Sequence, residues 1–136
     1  MKNGPKEAQR WLAQAENDLE FAQLALREKF YAQACFISQQ IGEKALKAVA
    51  YFHGERFVLG HSILELVNRL KVKDTSIAEL SELAGVLDQY YIPTRYPNGL
   101  PDGVPFQFFN QRQAQEAVEG ARRLVDTARR LISAAL

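Results

Sequence analysis

Cysteine is almost missing from this sequence, and neither sign of charge is in excess. The single cysteine, Cys35, excludes a disulfide within the chain and a cysteine-based zinc cluster, and it suits a reducing compartment. Seventeen basic side chains against sixteen acidic ones give a formal net charge of +1, so no overall field draws the protein to nucleic acid or to a membrane. We therefore expect a cytoplasmic protein in which any nucleic-acid site is local.

Long apolar runs are absent as well. No stretch approaches the roughly 18 consecutive apolar residues of a membrane span, and the opening residues MKNGPKEAQRW lack the apolar segment of a signal peptide. The sequence has no Walker loop, no Gly-x-Gly-x-x-Gly after a strand, no His-Glu-x-x-His and no EF-hand spacing. We predict a soluble protein without membrane contact, metal or other cofactor.

Proline is scarce outside one segment. Four of the five prolines lie between residues 93 and 105, which leaves the rest of the chain free to be helical. The β-branched content is low and no window alternates apolar and polar residues, so no strand is predicted. A chain of 136 residues has the size of one domain, and we expect a single domain over residues 1–136.

Apolar residues repeat at three- and four-residue spacing in five segments, which predicts five helices. The first two predicted helices are Lys6–Glu28 and Tyr31–Phe52, the second of which stops at Gly54. A short third helix runs from the N-cap Ser62 to about Lys71. The fourth begins at a cap at Asp74, Thr75 or Ser76, carries Tyr91 on its apolar face and stops at Pro93, and the fifth begins at Arg112. Together they predict an all-α fold, an antiparallel up-and-down helical bundle.

The first two predicted helices carry more apolar residues than one buried stripe needs. The additional residues are Leu12, Phe21, Leu24, Phe36 and Ile37. They indicate a second buried surface, which either a second copy of the chain or a different protein covers.

Residues 92–109 show neither helical nor strand periodicity, and their prolines and aromatic residues favour an ordered loop. Arg95 and Tyr96 lie in this loop. Two interpretations are equally open: Arg95 pairs with a helix carboxylate while Tyr96 packs, or Arg95 presents its guanidinium fork to a phosphate.

Two further polar sets stand out. In the second helix Glu43 and Lys47 are one turn apart, which favours an exposed i, i+4 salt bridge, with a polar groove that contains Lys47 as the alternative.

Arg56 and His61 have the spacing Arg-x4-His, and such a pair can cleave RNA without metal by acid–base catalysis. A His that merely packs or caps at the start of the third helix explains the second pattern more simply.

Four segments together resemble the HEPN family: AENDLEFAQLAL, ACFISQQIGEKALKAVAYFHG, GHSILEL and YYIPTRYPNGLP. In order they supply A-x-x-D-L, Q-x-x-E-K-A-x-K, a His before a short helix, and R-Y-P, and the agreement spans nearly the whole chain. The family-like polar positions are Asp18, Gln40, Glu43, Lys47, His61, Arg95 and Tyr96.

This resemblance implies a helical bundle that forms a homodimer and is often encoded beside a minimal nucleotidyltransferase, with roles in nucleotide binding, RNA cleavage or toxin–antitoxin pairing. Ribonuclease members of the family carry Arg-x4-6-His at the position of Arg95. This chain reads RYPNGLPDG there, without a His. The resemblance therefore favours a non-catalytic partner of a minimal nucleotidyltransferase that binds a nucleotide through Lys47, Arg95, Tyr96, Glu43 and His61.

Two alternatives remain for the function. The first is a metal-independent ribonuclease that uses Arg95 or the pair Arg56 and His61. The second is a toxin-type partner in which the Tyr96 hydroxyl accepts a transferred nucleotide.

Overall fold

The computed structural model describes residues 3–134, and all regular structure in that range is helical. The α-helices are α1 (Gly4–Arg27), α2 (Tyr31–Phe52), α3 (Ile63–Leu70), α4 (Ser81–Asp88) and α5 (Gln111–Ala134), and the 3₁₀ segments are Thr75–Leu80, Pro97–Gly99 and Pro105–Gln107. The predicted all-α antiparallel bundle of five helices is confirmed. None of the helices within residues 3–134 is both long and apolar enough to span a bilayer.

The three long helices form the core of the bundle, with α1 and α5 packed on α2 and on each other. Alanine dominates their contacting faces, and its small side chain lets the helix axes approach closely. The fully buried alanines of these helices are Ala8, Ala15, Ala22, Ala34, Ala45, Ala48, Ala50, Ala114, Ala121 and Ala128. Leu12 also lies in this core, at 4% exposure, so the prediction that it belongs to a second surface is wrong.

The α1–α2 hairpin is closed by a left-handed residue. Lys29 has a φ of 69°, and the Phe30 amide donates to the Ala25 carbonyl at 2.8 Å, so the last carbonyls of α1 are satisfied while the chain reverses. The α2 helix then spans the predicted residues and ends before Gly54, whose φ of 96° continues the turn.

The fourth helix differs from its prediction at both ends. Asp74 is the cap, but its carboxylate accepts from the Ser76 amide at 3.1 Å, and this tight local turn begins a 3₁₀ segment before α4 proper. The α4 helix ends at Asp88, well ahead of Pro93, because the amides of Tyr90 and Tyr91 bond three residues back instead of four.

The loop after α4 is ordered around the two proline-led 3₁₀ turns. The Thr94 hydroxyl, which is buried, donates to the Tyr90 carbonyl, and the Phe109 ring lies edge-on to Tyr90 at 5.8 Å. Phe106 and Phe108 remain 71% and 45% exposed, so only part of the loop's aromatic surface is buried.

Gly42 marks a close contact of α2 with α3 and α5. A Cβ there lies 2.7 Å from the ends of Ile63 and Leu124, both fully buried, so neither side chain can swing out to make room. Crowding of this kind costs about 1–3 kcal/mol, which exceeds the helix-propensity gain of about 1 kcal/mol on going from Gly to Ala. We expect Gly42→Ala to destabilise the protein in urea unfolding.

Gly85 of α4 is the matched control for that substitution. Its Cβ position has no neighbour closer than 4.0 Å, so Gly85→Ala should gain stability through propensity alone. Equal gains in the two variants contradict the close contact at Gly42.

Candidate functional site

An ion pair between Glu43 and Lys47 lies at the base of the candidate site. The Lys47 Nζ is 2.9 Å from Glu43 Oε1, and the two side chains are only 9% and 8% exposed. The prediction of an exposed salt bridge is therefore wrong, because this face of α2 is covered rather than open to solvent. The Lys47 ammonium also lies 5.6 Å from the centre of the Trp11 ring, so α1 covers it.

His61 meets this pair from the residue before the Ser62 N-cap of α3. Its Nδ1 is 3.1 Å from the same Glu43 Oε1, while 63% of its side chain is exposed. A carboxylate only accepts hydrogen bonds, so the contact with Glu43 assigns a proton to Nδ1. Glu43 thus fixes both the tautomer and the orientation of His61.

Tyr91 joins the histidine to the arginine. Its ring stacks on His61 with centroids 5.1 Å apart and planes 19° from parallel, and the Arg95 guanidinium carbon is 4.6 Å from the same ring. The structure therefore brings Lys47, Glu43, His61 and Arg95, which come from three separate segments, into one chain of contacts. We name Glu43, Lys47, His61, Tyr91 and Arg95 the polar cluster.

Arg95 is held by aromatic rings instead of a carboxylate. Its guanidinium carbon is 4.4 Å from the Phe36 ring and 4.9 Å from the Tyr96 ring, and its Nε donates to the Tyr91 carbonyl at 2.9 Å. Within residues 3–134 no Asp or Glu lies at ion-pairing distance from Arg95, which rules out the predicted carboxylate pair there. Among the residues that the structure describes, the side chain of Arg95 donates only this one hydrogen bond, from Nε. Tyr96 itself is 49% exposed.

The other family-like polar positions lie beside the cluster. Gln40 donates to Gln39 Oε1 at 2.8 Å and approaches Glu43 Oε2 at 3.4 Å. Asp18 accepts from Lys44 across the α1–α2 interface at 2.5 Å. An open groove of about 780 Å³ runs along this interface, lined by Glu7, Arg10, Trp11, Ala13, Gln14 and Lys44, and reaches the cluster only where Trp11 contacts Lys47.

Arg56 is not part of the polar cluster. It lies with His53 and Glu55 in a separate cavity of about 350 Å³ after α2, and within the described residues none of the polar or ring contacts of His61 is to Arg56. The Arg-x4-His spacing in the sequence thus does not correspond to a paired arrangement.

Two residues of the site were not recognisable as such in the sequence: Phe36 and Tyr91. Tyr91 falls in an apolar repeat that predicts a helix face, and Phe36 resembles any other apolar residue of α2. The one available signal was the four-residue spacing between Tyr91 and Arg95, which suits a side chain stacked over the preceding turn.

Neither thiol nor metal chemistry is suggested by the site. Burial raises the pKa of the Cys35 thiol to about 12, which makes it a poor nucleophile. No cluster of three or more His, Cys, Asp or Glu side chains within residues 3–134 is arranged to hold a metal ion.

Known proteins place the fold and the cluster in context. Residues 8–131 match the HEPN domain. A protein of Methanocaldococcus jannaschii named "Putative toxin MJ1304" is 26% identical over 129 residues, which cover 89% of this chain and 85% of that protein.

Solved structures are similar at higher identity. TT1696 from Thermus thermophilus superposes with a TM-score of 0.84 at 40% identity, over 90% of this chain and 95% of that one. The archaeal HEPN homologue ST0689 has a TM-score of 0.77 at 35% identity, over 97% and 99% of the two chains. An HEPN domain protein from Thermotoga maritima has a TM-score of 0.73 at 31% identity, over 91% and 98%.

Proposed function

This chain belongs to the HEPN family, and from that premise we propose that it is the helical component of a toxin–antitoxin-type module, binding a nucleotide phosphate at the polar cluster and a minimal nucleotidyltransferase elsewhere on its surface. The observation that carries the proposal is Arg95, a guanidinium held in place by three rings and a carbonyl but lacking an internal carboxylate. A fixed planar fork of this kind matches the oxygens of a phosphate.

The rest of the cluster suits the same ligand. Lys47 neutralises Glu43, so the carboxylate orients His61 without adding a strong negative field beside the phosphate site. The exposed His61 ring and Arg95 both contact Tyr91, and the half-exposed Tyr96 ring offers a surface on which a base can stack. The phosphate and the base thus each have a complementary group, in Arg95 and in the adjacent Tyr96.

The toxin–antitoxin role rests on the family and on the relative whose name describes it as a toxin. We further propose that the chain acts as one cytoplasmic domain and forms a homodimer. Exposed apolar side chains at the α1–α2 turn support a protein interface: Phe21 is 51%, Leu24 42% and Phe30 56% exposed, and Phe106 lies beside Phe30. Water-exposed apolar groups this close together are typical of an interface.

Two measurements test this function. Calorimetric titration with adenosine monophosphate should show saturable binding that weakens as salt rises, because the recognition is ionic. Co-expression with a minimal nucleotidyltransferase should give a complex that stays intact through size-exclusion chromatography. Absence of binding by the wild-type chain in both experiments contradicts the proposal.

The interface has its own matched pair of variants. The double substitution Phe21→Ser and Phe30→Ser should convert the dimer to a monomer in sedimentation, while Phe57→Ser, at a solvent-facing phenylalanine in another part of the chain, should not. A dimer that survives the double substitution but loses the nucleotidyltransferase assigns this surface to the partner instead of to the second copy.

A ribonuclease is the second candidate, and one observation favours it. Although no His follows Arg95 closely in the sequence, His61 and Arg95 both contact the Tyr91 ring, and a base and a phosphorane-stabilising cation are the groups that metal-independent RNA cleavage uses. RNA cleavage in chelator that disappears in both His61→Ala and Arg95→Ala would establish this activity. Retention of cleavage in those variants, or no cleavage by the wild type, excludes it.

A further inference from the structure

The carboxylate of Asp88 ties the end of α4 to the start of α3. Its Oδ1 accepts from the Ile63 amide at 2.9 Å, and its Oδ2 accepts from the Leu64 amide at 3.0 Å and from the Ser62 hydroxyl at 2.9 Å. The amides at the start of a helix lack partners within the helix, and Asp88 satisfies two of them from 24 or more residues further along the chain. Ser62 itself accepts from the Glu65 amide at 3.1 Å. The start of α3 is therefore capped twice, by Ser62 within the segment and by Asp88 from α4.

Gln39 extends this contact to His61. The Gln39 side chain is fully buried, and its amide nitrogen donates to the His61 carbonyl at 2.8 Å and to Asp88 Oδ1 at 3.2 Å. Its oxygen is fixed in turn by Gln40 at 2.8 Å. The His61 carbonyl is thus held by Gln39 of α2, and the same Gln39 amide is shared with the carboxylate of Asp88.

Asp88 also begins the segment that carries the arginine. The Tyr91 amide donates to the Asp88 carbonyl at 3.2 Å, and the Arg95 Nε donates to the Tyr91 carbonyl. One short stretch of chain therefore acts on His61 in two ways: Asp88 holds the residues that follow it, and the Tyr91 ring stacks on its side chain. The His and Arg parts of the polar cluster are thus both connected to Asp88.

We propose that Asp88 is a positioning residue that fixes the distance between His61 and Arg95. In Asp88→Asn one of the two acceptor oxygens becomes a donor, so the attachment of α3 to α4 weakens and the His61 ring shifts relative to Tyr91. The consequence for ligand binding rests on the function proposed above. The effect on the His61 ring does not, because it concerns the protein without ligand.

An ordinary helix cap is the competing explanation, and Asp74 is the control for it. Asp74 is also an aspartate that caps a helical segment, and it accepts from the amide and the hydroxyl of Ser76 without contacting the polar cluster. Asp74→Asn and Asp88→Asn make the same chemical change at a cap. Only the second variant should disturb His61.

The experiment compares the two variants by NMR before any ligand is added. The His61 ring protons lie in the ring current of Tyr91, so in Asp88→Asn their signals should move toward unstacked positions, whereas in Asp74→Asn they should stay at their wild-type positions. Ser62→Ala removes one of the Asp88 contacts and provides the same readout should Asp88→Asn not fold. Wild-type His61 signals in both folded variants, or in Ser62→Ala when it alone folds, overturn the proposal.

The ligand arm uses adenosine monophosphate as the probe. Asp88→Asn should bind it about tenfold more weakly, the scale on which groups that orient a binding side chain act, and Asp74→Asn should bind like wild type. If the wild type does not bind the probe, the proposed function fails while the NMR result still decides the role of Asp88. If Asp88→Asn binds like wild type although its His61 ring has moved, Asp88 positions the ring but not the ligand site.

Discussion

Replacing Arg95 with alanine should weaken the binding of adenosine monophosphate by about 10- to 100-fold, the range expected when a hydrogen-bonded charge on a ligand loses its partner. The guanidinium has three aromatic rings and one carbonyl around it, and within residues 3–134 no Asp or Glu carboxylate competes for its fork. A bound phosphate is therefore attracted by the whole positive charge of Arg95 and does not have to displace an internal partner. Isothermal titration of the folded variant measures the loss.

Arg95→Lys separates charge from shape. Lysine keeps the charge but has neither the planar fork nor the flat face that stacks on Phe36 and Tyr96, so this variant should recover little affinity. Full recovery with lysine indicates that only net charge matters and contradicts recognition by the fork.

Arg123→Ala is the matched control for these variants. Arg123 is an exposed arginine on α5, outside the polar cluster. It should bind the probe like wild type. If its loss equals that of Arg95→Ala, the interaction is a general attraction by basic residues, and the site does not lie at Arg95.

The fold was predictable because its signals are local. Helical periodicity, Ala-rich faces and Gly54 define α1, α2 and α5 within a few residues. The tight start at Asp74 and the early end at Asp88 were not predictable, because both depend on where a carboxylate finds its partner. The Asp88 carboxylate bonds amides at the start of α3, and nothing in the neighbouring sequence indicates that contact.

The site was predictable only in part, for a related reason. Motif matching identified Glu43, Lys47, His61 and Arg95, and the structure brings all four together. What joins them is Tyr91, which the sequence assigns to an apolar helix face. Sequence spacing also suggested Arg56 as the partner of His61, but proximity in a helical bundle follows from the packing of elements rather than from separation along the chain.

The buried pair on α2 provides the second large effect. Glu43→Leu should lower the free energy of unfolding by about 3–5 kcal/mol, because it leaves the Lys47 ammonium buried without a counter-ion. Both side chains are less than a tenth exposed, so water cannot replace the lost carboxylate. Lys47→Met should cost less than Glu43→Leu, since Glu43 keeps His61 and Gln40 as hydrogen-bond partners. Urea unfolding followed by circular dichroism gives these values.

The double variant tests whether the loss of stability comes from leaving one buried charge unpaired. Glu43→Leu with Lys47→Met replaces the pair by apolar side chains of similar size and should recover most of the stability that Glu43→Leu loses, since a buried ion pair gains little over apolar packing once desolvation is included.

The exposed pair Arg112 and Glu116 has the same spacing at 3.2 Å, with side chains 87% and 67% exposed, so Glu116→Gln should stay within about 0.5 kcal/mol of wild type. If the double variant is as unstable as the sum of the single ones, the two side chains do not interact, and the pair cannot be what holds Glu43 in place beneath His61.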